Sequence, residues 1–146
     1  MKSLYRYRKE RHYAKPPEVI WPFVADTARI NELSRSPVYQ VEERPDAQGR
    51  IHRFASIGLG PLRLRWEDGY SEWQENRRIV QVRDFQNGPM RHFQAAVELY
   101  PDGTGSRVVY TSDIEFAAAW LATCRHATFP CASQPFAGRL VAVDLA

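Results

Sequence analysis

Cysteine is scarce in this chain: Cys124 and Cys131 are the only two among 146 residues. They form no Cys-x-x-Cys pair, no second pair exists to complete a zinc set, and two thiols do not make a disulfide framework. Long apolar runs are also missing. No stretch reaches the roughly 18 apolar residues that a membrane span needs, and Met1-Lys2-Ser3-Leu4-Tyr5-Arg6 has no apolar signal-peptide core. A cytoplasmic location is therefore expected. Repeats and low-complexity tracts are absent. His12, His52, His92 and His126 include no pair at i, i+4, so no zincin-type site is expected. Ser34 and Ser36 lack a nucleophile elbow. No helix succeeds Gly58-Leu59-Gly60, which separates it from a phosphate-binding fingerprint. The expectation is that neither a metal nor any other cofactor is held.

What is present is ordinary globular composition, 44% hydrophobic and 25% charged, in a length that suits one domain with a substantial core. The net charge of +3 draws on Arg6, Arg8, Lys9 and Arg11 near the start. Acidic residues are interspersed throughout, as in Arg65-Trp66-Glu67-Asp68, so the charge reads as solvated surface rather than a nucleic-acid stripe. Arg6-Tyr7-Arg8-Lys9-Glu10-Arg11 interleaves aromatic with basic side chains, a combination that can hold single-stranded nucleic acid. One solvated face of a strand accounts for it more simply, and no nucleic-acid partner is expected. Aromatic residues make up 12%, enough for the walls of a pocket or for a plain aromatic core.

Tyr5 to Ala14 alternates bulky and charged side chains, with Tyr5, Tyr7, Arg11 and Tyr13 on one parity, and predicts a first strand. Pro16 and Pro17 end it and suit the first turn of a helix, where a missing N–H costs nothing. Val19, Ile20, Phe23 and Val24 recur at helical spacing and predict its buried face. Pro22 either falls in the first turn or kinks the helix. Asp26-Thr27 predicts the cap of a second short helix, Ala28 to Leu33. The period then changes to two. Strands are predicted over Val38–Arg44, Ile51–Ile57, Leu62–Trp73 (with a bulge at Gly69), Arg78–Gln86, Met90–Tyr100 and Ser106–Phe116. Short turns separate them, among them Asn87-Gly88 and Pro101-Asp102-Gly103-Thr104-Gly105, which favours an antiparallel meander. Phe116 to Leu121 begins like a helix. Pro130 and Pro135 oppose its continuation, so a domain over 1–121 is expected, with an irregular tail or atypical C-terminal helix over 122–146.

Ala14-Lys15-Pro16-Pro17-Glu18-Val19-Ile20-Trp21 resembles the strand-to-helix start of the START/Bet v 1-like superfamily (SRPBCC, or polyketide-cyclase-like). Trp73-Gln74-Glu75-Asn76-Arg77-Arg78 and Leu99-Tyr100-Pro101-Asp102-Gly103-Thr104-Gly105-Ser106-Arg107-Val108 are similar to its later hairpins. The resemblance spans about residues 5 to 116. It implies an α+β helix-grip fold: a curved antiparallel sheet of six to seven strands, two short N-terminal helices, and a C-terminal helix across the sheet. His12-Tyr13 through Trp21 to Thr27, Gly60 to Glu67, and Gly88 to Phe93 look like the domains found ahead of some bacterial adenylate/guanylate cyclases. That likeness implies a cyclase domain as partner.

Alternation along the strands nominates inward residues: Val108, Tyr110, Ser112 and Ile114; Phe93, Ala95, Val97 and Leu99; Leu64 and Trp66, with Tyr70 joining them if a bulge keeps phase. Trp66, Tyr70, Phe93 and Tyr110 either line a pocket or simply fill it. Arg83-Asp84 interrupts the apolar run Ile79-Val80-Gln81-Val82. Strict alternation puts Asp84 on the face of Val80 and Val82, where it anchors a ligand hydroxyl or acts as a general acid/base. The bland reading is a solvated position near Asn87-Gly88. Three functions are compatible with this pattern. The first is a sensor or regulatory domain for a small apolar or lipid-like ligand. The second is a cyclase/dehydratase-like enzyme using Asp84 or Tyr110. The third is a protein-interaction domain with a filled core.

Overall fold

In the computed structural model, described for residues 3–26, 39–69 and 71–118, one antiparallel sheet dominates. The predicted second helix, Tyr70, and everything from 119 onward, including the expected C-terminal helix, lie outside these residues. The elements are β1 (Ser3–Tyr13), α1 (Pro17–Ala25), β2 (Gln40–Pro45), β3 (Ile51–Leu59), β4 (Leu62–Asp68), β5 (Glu72–Gln74), β6 (Arg78–Phe85), β7 (Met90–Asp102) and β8 (Gly105–Phe116). The sheet order is β1-β8-β7-β6-β4-β3-β2, with β5 pairing on β6. Together these form the curved antiparallel sheet with a helix that the helix-grip fold requires. The strand foreseen over Leu62–Trp73 is divided in two. Gly69 marks the break, where its N–H bonds to the Val82 carbonyl at 2.9 Å and a Cβ would stand 3.1 Å from Val82 Cγ1.

The first strand pairs with β8, the last among the described residues, and α1 leaves β1 to pack on the inner face of the sheet. Tyr5, Tyr7 and Tyr13 stand opposite Ile114, Ser112 and Ser106. Two features seal that seam. The Ser106 hydroxyl donates to the Lys15 carbonyl at 2.7 Å, and Gly105 packs so tightly on the Tyr13 carbonyl that a Cβ would collide with it. Only glycine permits that backbone approach.

Helix α1 starts on Pro16 and Pro17, and the Pro16 carbonyl accepts from the Val19 and Ile20 N–H groups. Pro22 lies in its second turn, on the solvent side, where the carbonyl it leaves without a partner can be hydrated. The buried stripe is Pro17, Ile20, Trp21 and Val24. The expected stripe had Val19 where the helix in fact turns Trp21 inward; Val19 is exposed. Trp21 meets Trp73 of β5 edge-to-face at 5.2 Å. Ile20, Trp21 and Val24 pack on Ile79, Phe93, Val97, Leu99, Val108, Tyr110 and Ile114. Each large apolar side chain so buried contributes roughly 1.5–3 kcal/mol. This contact defines the inner face of the sheet.

The opposite face is paired charge. Arg6 and Asp113 form two hydrogen bonds at 3.0 and 3.1 Å, and Arg78 reaches Glu98 at 3.1 Å. Between such pairs Val80, Ala96 and Val109 are buried although they point away from α1. Long charged stems flank them, as snorkelling side chains commonly do.

Candidate functional site

Cross-strand partners share a face, so the register decides which side chains meet on the inner side. Trp66 stands opposite Phe85, Asp68 opposite Arg83, and Arg83 in turn opposite Phe93. Phe93 belongs to the core beneath α1. Trp66, Asp68, Arg83, Phe85 and Phe93 therefore lie on one surface. Trp66, Phe93 and Tyr110 are all buried on it, where alternation placed them.

Asp84 is on the other side. Its carboxylate is 60% exposed and accepts a hydrogen bond from His92 Nδ1 at 2.6 Å, on the outer face. The expectation of an inward Asp84 fails for a definite reason. A two-residue Asn87-Gly88 turn would set Val82 opposite Phe93 and carry Asp84 inward. The actual β6–β7 loop runs through Gln86–Pro89, with a register shift between Met90 and His92. Arg83 then stands opposite Phe93. A slip of one residue turns every side chain of a strand over.

Arg83 is the residue alternation passed over. Its guanidinium lies 5.3 Å from the Trp66 ring centre and 5.9 Å from that of Tyr39, within cation–π range of both. Its Nε is 3.5 Å from Asp68 Oδ1, and Arg53 Nε is 3.9 Å from the other oxygen. The same Asp68 Oδ1 accepts the Trp66 indole N–H at 3.0 Å. One carboxylate thus fixes both the ring and the cation. Phe85 and Tyr39 complete the aromatic wall, at 5.7 and 5.6 Å from Trp66.

Tyr110 forms the second half, on β8. Tyr7 meets it edge-to-face at 6.1 Å. Burial pushes the Tyr110 phenol up to about 12, while the Ser112 hydroxyl and the Arg83 charge pull the other way. The phenol is therefore neutral at physiological pH and serves as a hydrogen-bonding group rather than a base. Ser112 is fully buried beside it. The surface combines aromatic rings, the Arg83 and Arg53 guanidiniums around the Asp68 carboxylate, and hydroxyl groups, which is the chemistry of binding and orienting a largely apolar molecule. Among the described residues no group of histidine, cysteine and carboxylate side chains could hold a metal, and no helix is long and apolar enough to cross a membrane.

The model of the family described as "Polyketide cyclase / dehydrase and lipid transport" matches residues 6–140. No curated protein sequence matches the chain. Solved structures share the fold. The Zhui aromatase/cyclase from Streptomyces sp. R1128 superposes with a TM-score of 0.55 at 16% identity, over 80% of this chain and 70% of that one. A START superfamily protein from Mycobacterium smegmatis gives 0.54 at 14%, over 94% and 97%. Norcoclaurine synthase from Thalictrum flavum gives 0.56 at 10%, over 95% and 85%. At these identities the likeness is one of architecture, and it establishes the START/Bet v 1 helix-grip fold.

Proposed function

This chain belongs to the polyketide cyclase / dehydrase and lipid transport family, and from that premise we propose that the inner face of its sheet holds a small hydrophobic or lipid-like ligand. The observation that carries this reading is the assembly of Trp66, Tyr39 and Phe85 around Arg83 and Asp68, with Tyr110 and Phe93 further along the same face. Aromatic area supplies affinity at roughly 25 cal/mol per Å² of apolar surface covered. Arg83 and the neutral Tyr110 hydroxyl orient a carbonyl, enol or carboxylate on the ligand. Tyr70 is proposed as a further member of this wall.

Retention of the ligand is favoured over its turnover. A cyclase/dehydratase-like reaction requires a proton acceptor on the inner face. Neither acid/base candidate read from the sequence supplies it, because Asp84 points outward to His92 and Tyr110 stays protonated at neutral pH. The inner-face carboxylate Asp68 is already engaged by Arg83 and the Trp66 N–H. The proposed setting is cytoplasmic and regulatory, with a nucleotide cyclase domain as the partner that responds to occupancy. The segments His12–Thr27, Gly60–Glu67 and Gly88–Phe93 motivate that partner, and a cyclase coding region adjoining this one is the expected observation. Its absence removes the cyclase from the proposal and leaves the ligand site untouched.

Native mass spectrometry of the purified chain tests the ligand site. The expected spectrum shows a mass excess released as an apolar molecule on denaturation, and lost in a folded Arg83→Gln, Trp66→Phe variant. A bare chain mass, with no uptake from a panel of fatty acids, sterols and polycyclic aromatics, would favour a filled core instead.

A further inference from the structure

A groove of about 500 Å³ lies over β2, β3 and β4, away from the Trp66–Arg83 assembly. Its lining includes Arg44, Arg63 and Arg65 against a single acidic side chain, Glu42. Glu42 is already taken: Arg44 holds it through two hydrogen bonds at 2.9 and 2.7 Å. Arg63 and Arg65 alternate along β4 onto one face and form no ion pair among the described residues. In a sheet where most charged side chains of the outer face are matched, two neighbouring unmatched guanidiniums are the exception.

The groove keeps them open and in place. Arg63 stands opposite Gly58, which offers no side chain and has nothing within 4 Å of where a Cβ would be. Ser56, opposite Arg65, adds a hydroxyl, and Phe54 gives one apolar wall. The backbone carrying both arginines is clamped by Asn87, whose Oδ1 accepts the Arg65 N–H and whose Nδ2 donates to the Arg63 carbonyl, each at 2.8 Å. The Gln86 N–H bonds to the Arg65 carbonyl at 2.9 Å. Paired guanidiniums on a fixed backbone suit an oxyanion, which accepts from both forks.

We propose that this groove is a second binding site, for a small organic oxyanion (a phosphate or carboxylate) whose carbon portion rests against Phe54. The site is independent of the inner-face ligand. Amide chemical-shift titration with phenyl phosphate, inorganic phosphate and benzoate tests it. The expected result is a saturable shift of the Ser56, Arg63 and Arg65 amides that weakens as salt is raised. In Arg63→Gln, Arg65→Gln the affinity falls at least about tenfold, the loss expected when charge-assisted hydrogen bonds go. Gly58→Glu, which sets a carboxylate opposite Arg63 in open space, gives the same loss without touching either arginine. Tighter binding of phenyl phosphate than benzoate assigns the site to phosphates, and the reverse order to carboxylates. Absence of a saturable shift, or equal affinity in both variants, overturns the proposal. Shifts centred on Trp66 and Tyr110 would overturn it equally, by moving the anion to the inner face.

Discussion

The two faces of this sheet are built on opposite rules. Inside, aromatic rings meet at 5 to 6 Å and the Arg83–Asp68 ion pair is packed against Trp66. Outside, charges match across strands, and the three described histidines each meet a carboxylate: His12 with Asp102 at 2.7 Å, His92 with Asp84 at 2.6 Å, and His52 with Glu67 at 2.5 Å. On the inner face Asp68 and Arg83 are held by each other and by Trp66, which gives both of them positional meaning. Charged groups on the outer face are many, and most of them meet a partner of opposite charge. A carboxylate in an apolar strand is therefore informative only once its face is known.

The faces differ most in what truncation costs. Trp66→Ala is expected to lose about 3–5 kcal/mol in urea unfolding, as buried aromatic deletions do. His92→Ala or Asp84→Asn should change stability by less than about 0.5 kcal/mol, since exposed pairs contribute little. Comparable losses for both would erase the distinction. Next in size is Arg83→Met, which strips Asp68 of its nearest cation and should cost about 1–3 kcal/mol. A red or blue displacement of tryptophan emission should accompany it, because the cation leaves the Trp66 ring.

Titration sharpens the contrast. Tyr110 starts from an ordinary value near 10 and is pushed up to about 12 by burial. A raised acid pKa stabilises the fold below the unfolded value and loses that contribution as pH rises through the folded one. Alkaline unfolding should thus set in between pH 10 and 12, and Tyr110→Phe should delay it. Phenolate absorbance of the variant against the parent isolates the late-titrating group.

The smallest effect is at the acid end and on an exposed turn. Asp46 accepts from the Arg50 N–H, the Arg50 side chain, His52 and the Gln48 N–H, and its carboxyl is held at about 2. The contribution of these bonds is present above the ordinary value of 3.8 and disappears as pH falls through about 2. Amide shifts of Gln48 and Arg50 should report local opening of the β2–β3 turn there, with the inner-face signals unmoved.

Much of this was legible in the residues. Strict alternation on β7 and β8 identified Phe93, Leu99, Val108, Tyr110 and Ile114 because their neighbours on the opposite parity are mostly polar. The strand β6 resisted the same logic: Ile79 and Val80 are both buried, on opposite faces, so the apolar run carries no parity. Only the register could choose between Arg83 and Asp84, and an irregularity between Met90 and His92 set it. The helix stripe was shifted for a related reason. Val19 and Phe23 look as apolar as Trp21, but the largest ring went where Trp73 could meet it.

The most direct measurement is titration of the indole-labelled protein with N-phenyl-1-naphthylamine, a neutral apolar probe. A saturable shift of the Trp66 indole N–H, with the Arg63 and Arg65 amides still, is what a ligand-holding inner face predicts. An unmoved Trp66 signal, or probe shifts confined to the outer strands' surface, would contradict it.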